Sequence, residues 1–267
     1  YKRIRDSFDG GVLTGKGLSF GGSLTRSEAT GYGLCYLTEE MLHCMKQESL
    51  QGKRVAISGS GNVAIFACQK AQELGAKVIT MSDSNGCIYD PEGIRLDVVK
   101  DIKLRRRGRI REYAQLVPGS EFRSDFRDLW SVPCDVALPC ATQNEIDAET
   151  ARRIVRGGAM ALAEGANMPS TPAAIEVLRE GGVLFAPAKA ANAGGVAVSG
   201  LEMCQNSMRL AWTFDEVDQR LHQIMLDIFH NIYDASVEYG VPGNLLDGAN
   251  IAGFRKVADA MLAQGVC

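Results

Sequence analysis

Histidine is scarce in this 267-residue chain: there are three, and only two tryptophans. His222 and His230 fall in one stretch of helical pattern with no carboxylate cluster, so the spacing describes no metal site. No apolar run approaches the roughly 20 residues that a bilayer-spanning helix needs, which argues against a membrane span. Neither charge dominates. The 29 Lys and Arg nearly balance the 32 Asp and Glu, for a net charge of −3. That removes the general electrostatic reason to expect nucleic acid or a membrane surface as partner. The eight cysteines form no Cys-x-x-Cys pair, and several sit inside apolar runs. Such usage fits reduced, buried thiols in a cytoplasmic protein. Internal repeats and low-complexity segments are also missing.

The stretch Arg54-Val-Ala-Ile-Ser-Gly-Ser-Gly-Asn-Val-Ala64 is the most informative part of the sequence. An apolar strand runs into a glycine-rich turn, and a helix follows over Asn62–Leu74. Gly59 permits the tight turn, Gly61 lets a pyrophosphate approach the backbone, and Ala64 still allows close packing of helix on strand. The helix points its free N–H groups and partial positive charge at the same place. A second strand, Lys77–Ser82, ends at Asp83, where an acid can meet an adenosine ribose. Strand, turn, helix, second strand and acid in this order predict dinucleotide binding.

Elsewhere the chain alternates short apolar strands with helices. Thr25-Arg-Ser-Glu28 reads as a capping box that opens a helix to about Glu48. Asp83–Gly86 is a turn, Cys87–Tyr89 a short strand and Arg95–Arg106 a helix. Strands are expected at Asp135–Leu138, Ala159–Ala163 and Val183–Ala186, with helices Ala148–Val155 and Ala173–Glu180 between them. This pattern predicts an α/β fold of Rossmann type, a doubly wound parallel sheet covered on both faces. Leu201–Trp212 reads as a mostly buried segment. Thr213-Phe-Asp-Glu216 is a second capping box, opening a long helix to about Tyr239 whose buried stripe includes Val217, Leu221, Met225 and Ile232. A last helix is expected over Asn250–Ala263. The expected division is a dinucleotide-binding domain with an N-terminal hinge segment over 1–200, and a helical segment over 201–267 that packs back on it. The opening, Tyr1–Asp6 and a glycine-rich run through Gly22, suggests a segment of a longer protein whose N-terminal domain is absent.

Three loops follow the carboxyl ends of the later strands: Pro139–Asn144, Glu164–Pro169 and Pro187–Gly195. All are small, polar and rich in amides. In open parallel sheets ligands bind outside those ends, near the point where strand order reverses. Three such loops facing one crevice predict the nicotinamide side of the pocket.

Taken together, Gly21–Gly33, the GSGNVA turn, Ser82–Gly86, Leu138–Asn144, Ala163–Pro169 and Lys189–Ser199 resemble the carboxyl-terminal, coenzyme-binding part of a bacterial glutamate dehydrogenase of the small hexameric branch. The resemblance covers essentially the whole chain. It implies oxidative deamination of L-glutamate to 2-oxoglutarate and ammonium, or the reverse, with a hydride passing between the substrate α-carbon and a nicotinamide. It also implies a hexamer for the full-length protein. In that family the catalytic lysine and aspartate lie on a preceding domain, and no motif here matches theirs, so the chain alone is expected to be inactive. Lys189 is expected to order a loop. By the resemblance Thr30 contacts the carboxamide, and Ser60, Gly61, Asn62 and Val63 hold the pyrophosphate through backbone N–H groups. Thr142 and Gln143 line the ribose and nicotinamide, with Asn167 and Asn192 beyond them. Val196 and Ser199 match positions that contact the substrate side chain; Ser199 could instead bond within its own helix.

NADP is the expected cofactor, with NAD as the alternative. Asp83 argues for NAD, because an acid there bonds a free 2′-hydroxyl and repels a 2′-phosphate. Ser84 and Lys103 argue for NADP: Ser84 can donate to a phosphate, and Lys103 matches a phosphate-contacting position by resemblance. The cluster Lys103–Arg109 could fold back over the adenosine end, while Arg105–Arg107 read mainly as a solvated face. Two other functions fit the same elements. One is a leucine, phenylalanine or valine dehydrogenase, against which the polar Ser199 counts. The other is a non-catalytic module that senses NAD(P).

Overall fold

The computed structural model describes residues 2–7 and 9–265; Tyr1 and Cys267 lie outside them. Seven strands form one sheet: β1 Arg54–Ile57, β2 Lys77–Asp83, β3 Gly86–Tyr89, β4 Glu121–Arg123, β5 Val136–Leu138, β6 Ala161–Ala163 and β7 Leu184–Ala186. Their order is β4-β3-β2-β1-β5-β6-β7. Strands β2, β1, β5, β6 and β7 run parallel, whereas β3 pairs antiparallel with β2 and β4 antiparallel with β3 at that edge. The wholly parallel expectation is therefore corrected to a mixed sheet. The turn Asp83–Gly86 is too short for a crossover, so β3 can only return antiparallel.

The strands are short because they are buried on both faces. Along β1, Val55 and Ile57 enter one apolar cluster and Ala56 the other. β5 and β6 alternate in the same way, as the two-residue period of a strand requires. The major face is covered by α1 (Ala29–Lys46), α2 (Asn62–Glu73) and the long helix α7 (Phe214–Glu238). The other face packs on Trp130 and on α4 (Ala148–Arg156) and α5 (Pro172–Glu180). Each fully buried Leu, Ile or Val stabilises the fold by about 1.5–3 kcal/mol.

Local signals at helix ends were unequal guides. Thr213 and Glu216 form the expected capping box at the start of α7. Thr25 does not cap α1. Its backbone is left-handed (φ +66°), its hydroxyl donates to Phe214 O at 3.3 Å, and α1 begins after Glu28 without a side-chain cap. Packing against α7 overrides the local pattern. The helix expected over Arg95–Arg106 is regular only in α3 (Leu96–Lys100), then widens into a π-helical turn over Asp101–Arg105. Such widenings re-aim side chains, and here one carries Lys103 toward the end of β2.

One expectation about exposure fails. The stretch Leu201–Trp212 is only half buried: Met203, Met208 and Leu210 face solvent. The helix there, α6 (Gly194–Met208), buries Val198, Glu202 and Gln205 instead. The glycine-rich opening is mostly exposed, Leu13, Leu18 and Phe20 included, and is tied to α6 where the Lys16 ammonium meets the Glu202 carboxylate at 2.6 Å. Residue 200 falls inside α6. The final helix, α8 (Leu245–Gln264), starts earlier than expected, at an Asn244 cap.

Candidate functional site

Strand order reverses between β1 and β5, and the turns after these two strands flank the crevice. Gly59 has φ +84°, and a Cβ there would stand 3.0 Å from Cys140 O. The left-handed backbone and the close approach of the β5 loop both require glycine. The turn is tied to β2 by Gly59 N–H donating to Ser82 Oγ at 2.8 Å. At Gly61, the residue before α2, a Cβ would meet no protein atom within 4 Å. Among the described residues nothing accepts the N–H groups of Ser60, Gly61, Asn62 and Val63. Unsatisfied donors at the N-terminus of a 12-residue helix suit an anion.

Beside this turn lies a cavity of about 530 Å³. Thr30, Val63, Thr142, Gln143, Asn167, Asn192 and Val196 all line it, together with Arg26 and Cys140. The three amide-rich loops thus converge as expected. Asn192 Nδ2 donates to Asn167 Oδ1 at 2.9 Å, locking two of them together. Val196 is 78% exposed on the cavity side of α6. Ser199, one turn further, donates to Gly195 O at 3.1 Å and accepts from Thr14 Oγ1 at 3.3 Å. Its hydroxyl is engaged within its own helix and with the opening segment. Lys189 turns away from the cavity and donates to Asn250 Oδ1 on α8.

Two buried carboxylates that sequence reasoning missed hold these loops. Glu145 Oε1 accepts from Ser58 Oγ at 2.9 Å and from the N–H groups of Ala141 and Thr142 at 3.2 and 3.4 Å. Burial outweighs these hydrogen bonds and pushes its pKa up to about 7. Glu164 accepts from Ser170 N–H at 3.1 Å and from Ala188 N–H at 2.8 Å, bridging the β6 and β7 loops. Burial again raises its pKa, against the pull of the two N–H groups. The signal was present in sequence as an acid at the edge of each of the two loops, but only the fold turns each acid inward.

At the end of β2 the structure gathers Asp83, Ser84 and Lys103. Lys103 Nζ lies 3.2 Å from Asp83 Oδ2, and the same oxygen accepts from Ile110 N–H at 2.8 Å. Burial opposes ionisation of Asp83, yet the N–H groups of Ile110 and Asn85 and the Lys103 ammonium hold its pKa below the ordinary carboxylate value. Arg109, not singled out individually from sequence, donates to Ser84 Oγ at 3.1 Å. Arg105 and Arg106 pair with Asp101 and Glu112 on the surface, the solvated face expected of them.

A largely parallel sheet with a glycine turn at its switch point, leading into a helix N-terminus, defines a Rossmann-type α/β domain. Comparison with known proteins narrows the class. The family model for Glutamate/Leucine/Phenylalanine/Valine dehydrogenase matches residues 21–265, and the chain belongs to this family. It is 56% identical over 266 residues to the NADP-specific glutamate dehydrogenase of Escherichia coli, a match that covers 96% of the chain and 57% of that protein. It is 51% identical over 269 residues to the NAD(P)-specific glutamate dehydrogenase of Xylanibacter ruminicola, covering 100% of the chain and 60% of the relative. The structure of Plasmodium falciparum glutamate dehydrogenase superposes with a TM-score of 0.95 at 43% identity, over 100% of this chain and 57% of that one. The chain thus spans somewhat over half the length of these relatives.

Proposed function

We propose that this chain is the coenzyme-binding part of a glutamate dehydrogenase that works with NADP(H), interconverting L-glutamate with 2-oxoglutarate and ammonium. One observation carries the reading: seven residues expected from sequence to meet cofactor or substrate line a single cavity beside the glycine turn. In this reading the N–H groups of Ser60 to Val63 hold the pyrophosphate. The open space at Gly61 fits that group, as do the donors without acceptors. Thr142 and Gln143 flank the ribose, and Thr30, Asn167 and Asn192 orient the nicotinamide ring. The bound nicotinamide supplies the hydride acceptor or donor. Val196 shapes the wall that the substrate side chain meets, and Ser199 reaches the γ-carboxylate if its helix bond opens.

The preference for NADP rests on the end of β2. The negative charge of Asp83 is compensated by Lys103 and two N–H groups, so the repulsion that an acid imposes on a 2′-phosphate is offset. Ser84 and Arg109 add donors at the same edge. A pocket for leucine or phenylalanine would be apolar on the substrate side; here Arg26 lines the cavity together with Val196, and the Ser199 hydroxyl follows one turn on. Assembly into a hexamer and residence in the cytoplasm belong to the same proposal. Among the described residues no helix is long and apolar enough to cross a membrane.

The test is direct. Calorimetric titration of NADPH and NADH into the 267-residue chain should give saturable binding, tighter for NADPH, while a steady-state assay with glutamate gives no turnover. Tighter binding of NADH would reject the cofactor assignment. Turnover by the chain alone would reject the division of labour, in which catalytic groups come from a preceding domain.

A further inference from the structure

Glu40 and Cys44 stand four residues apart on α1, so their side chains rise one turn apart from a single face. Helix α7 packs across α1 and brings His230 against them. His230 Nε2 lies 2.9 Å from Glu40 Oε1, and the Cys44 thiol donates to the same oxygen at 3.2 Å. A carboxylate oxygen, a sulfur and an imidazole nitrogen therefore lie within 4.8 Å of one another. We infer that this triad is a binding site for zinc or a similar borderline-soft divalent ion, which would staple α1 to α7.

The donor set decides the class of ion. Magnesium and calcium take oxygen ligands, whereas thiolate, imidazole and carboxylate together suit zinc and its neighbours. The geometry is close to what zinc needs. Tetrahedral bonds of about 2.0–2.1 Å to nitrogen or oxygen and about 2.3 Å to sulfur put neighbouring ligand atoms roughly 3.3–3.6 Å apart. Two edges, 2.9 and 3.2 Å, open to those values by shifts on the order of half an ångström, and the third, from sulfur to the imidazole nitrogen, is within 4.8 Å and closes toward the same range by side-chain rotation. Glu40 supplies the fixed corner, with a side chain only 17% exposed, and His230, 49% exposed, leaves a path from solvent. Three protein ligands leave a fourth position for water. The Cys44 thiol directs its proton at Glu40 Oε1. The ion would take the place of that proton and release it on binding. None of the three groups touches the cavity beside the glycine turn, so the inference stands independently of the cofactor reading.

The probes are cobalt and zinc alone. Cobalt titrated into the 267-residue chain should give a saturable thiolate-to-metal charge-transfer band at one equivalent. Zinc should displace the cobalt and raise the thermal midpoint. Cys44→Ser should abolish the band, and His230→Ala should weaken zinc binding at least about tenfold, no less than loss of a supporting partner around a metal site costs. Cys204→Ser alters the other exposed cysteine among the described residues and should change neither readout. Thermal midpoints in chelator report whether each variant is folded. A band that survives Cys44→Ser, one that vanishes with Cys204→Ser, or zinc affinity equal in wild type and His230→Ala would leave a hydrogen-bonded triad only.

Discussion

The crevice beside the glycine turn and the pocket at the end of β2 are built in opposite ways. The crevice is framed from behind. Glu145 and Glu164 are each 4% exposed, and they hold loops whose outward groups are backbone amides and short polar side chains. The β2 pocket is framed from in front by long side chains: Lys103 meets Asp83 in a largely buried pair, and Arg109 meets Ser84 in the open. A buried carboxylate frame fixes geometry at the cost of desolvation, because few solvent molecules can replace a lost partner. The Lys103–Asp83 pair is itself largely buried, with side chains 17% and 8% exposed, but it rests on single long side chains that can be altered one residue at a time. Changes in the crevice should therefore affect either cofactor equally. Changes at the β2 pocket should separate them.

The largest effect is expected at Gly61→Val. A Cβ at this position has no protein atom within 4 Å, so the branched side chain enters open space and the fold should survive. Losing two hydrogen bonds to a charged pyrophosphate, each about 1.5–3 kcal/mol, should weaken both NADPH and NADH about a hundredfold or more. Calorimetry with both cofactors, alongside circular dichroism, checks this. Retained affinity would make the glycine turn structural and dissolve the contrast between the two regions.

Next is Glu145. Its pKa is raised by burial to about 7 in the fold, above the ordinary value of 4.5. The unfolded chain therefore binds fewer protons between those values. The stability this group contributes is fully present below about pH 4.5 and is lost as pH rises through about 7. The full interval corresponds to roughly 3 kcal/mol at an order-of-magnitude level. Urea unfolding of wild type and Glu145→Gln at pH 5 and pH 8 should show the wild-type advantage shrinking at the higher pH. A difference independent of pH would remove Glu145 as the titrating member of the frame.

At the β2 pocket, Lys103→Ala should weaken NADPH about tenfold or more, from the loss of a charge-assisted bond. NADH should change much less, while the melting temperature falls measurably, because Asp83, with a side chain only 8% exposed, loses its cation. Equal losses for both cofactors would place Lys103 in the general frame. Ser84→Ala is the smallest change, expected to cost NADPH about tenfold through one hydrogen bond to the charged 2′-phosphate of about 1.5 kcal/mol. The same titration series measures it, and an unchanged ratio of affinities would exclude Ser84 from discrimination.

Sequence alone determined what local chemistry controls. The glycine turn was legible because a strand, a positive-φ residue and a helix start must be adjacent in the chain to do their work. The Thr213 cap and the alternation of short apolar strands with helices were legible for the same reason: their partners lie within a few residues or repeat at a fixed period. Tertiary structure decided everything that depends on distant partners. Thr25 carried a capping pattern but spends its hydroxyl on Phe214. Asp83 and Lys103 were both read as adenosine-end residues, but it was the π-helical turn that swung Lys103 inward to pair with Asp83 itself. Glu145 became a frame only when β5 lay down next to β1 and brought Ser58 within reach. His230 had no partner along its own helix and acquired Glu40 and Cys44 from α1. In each case a polar group near the interior must satisfy itself with whatever packing brings near, and a pattern of spacing in one dimension does not record which groups those are.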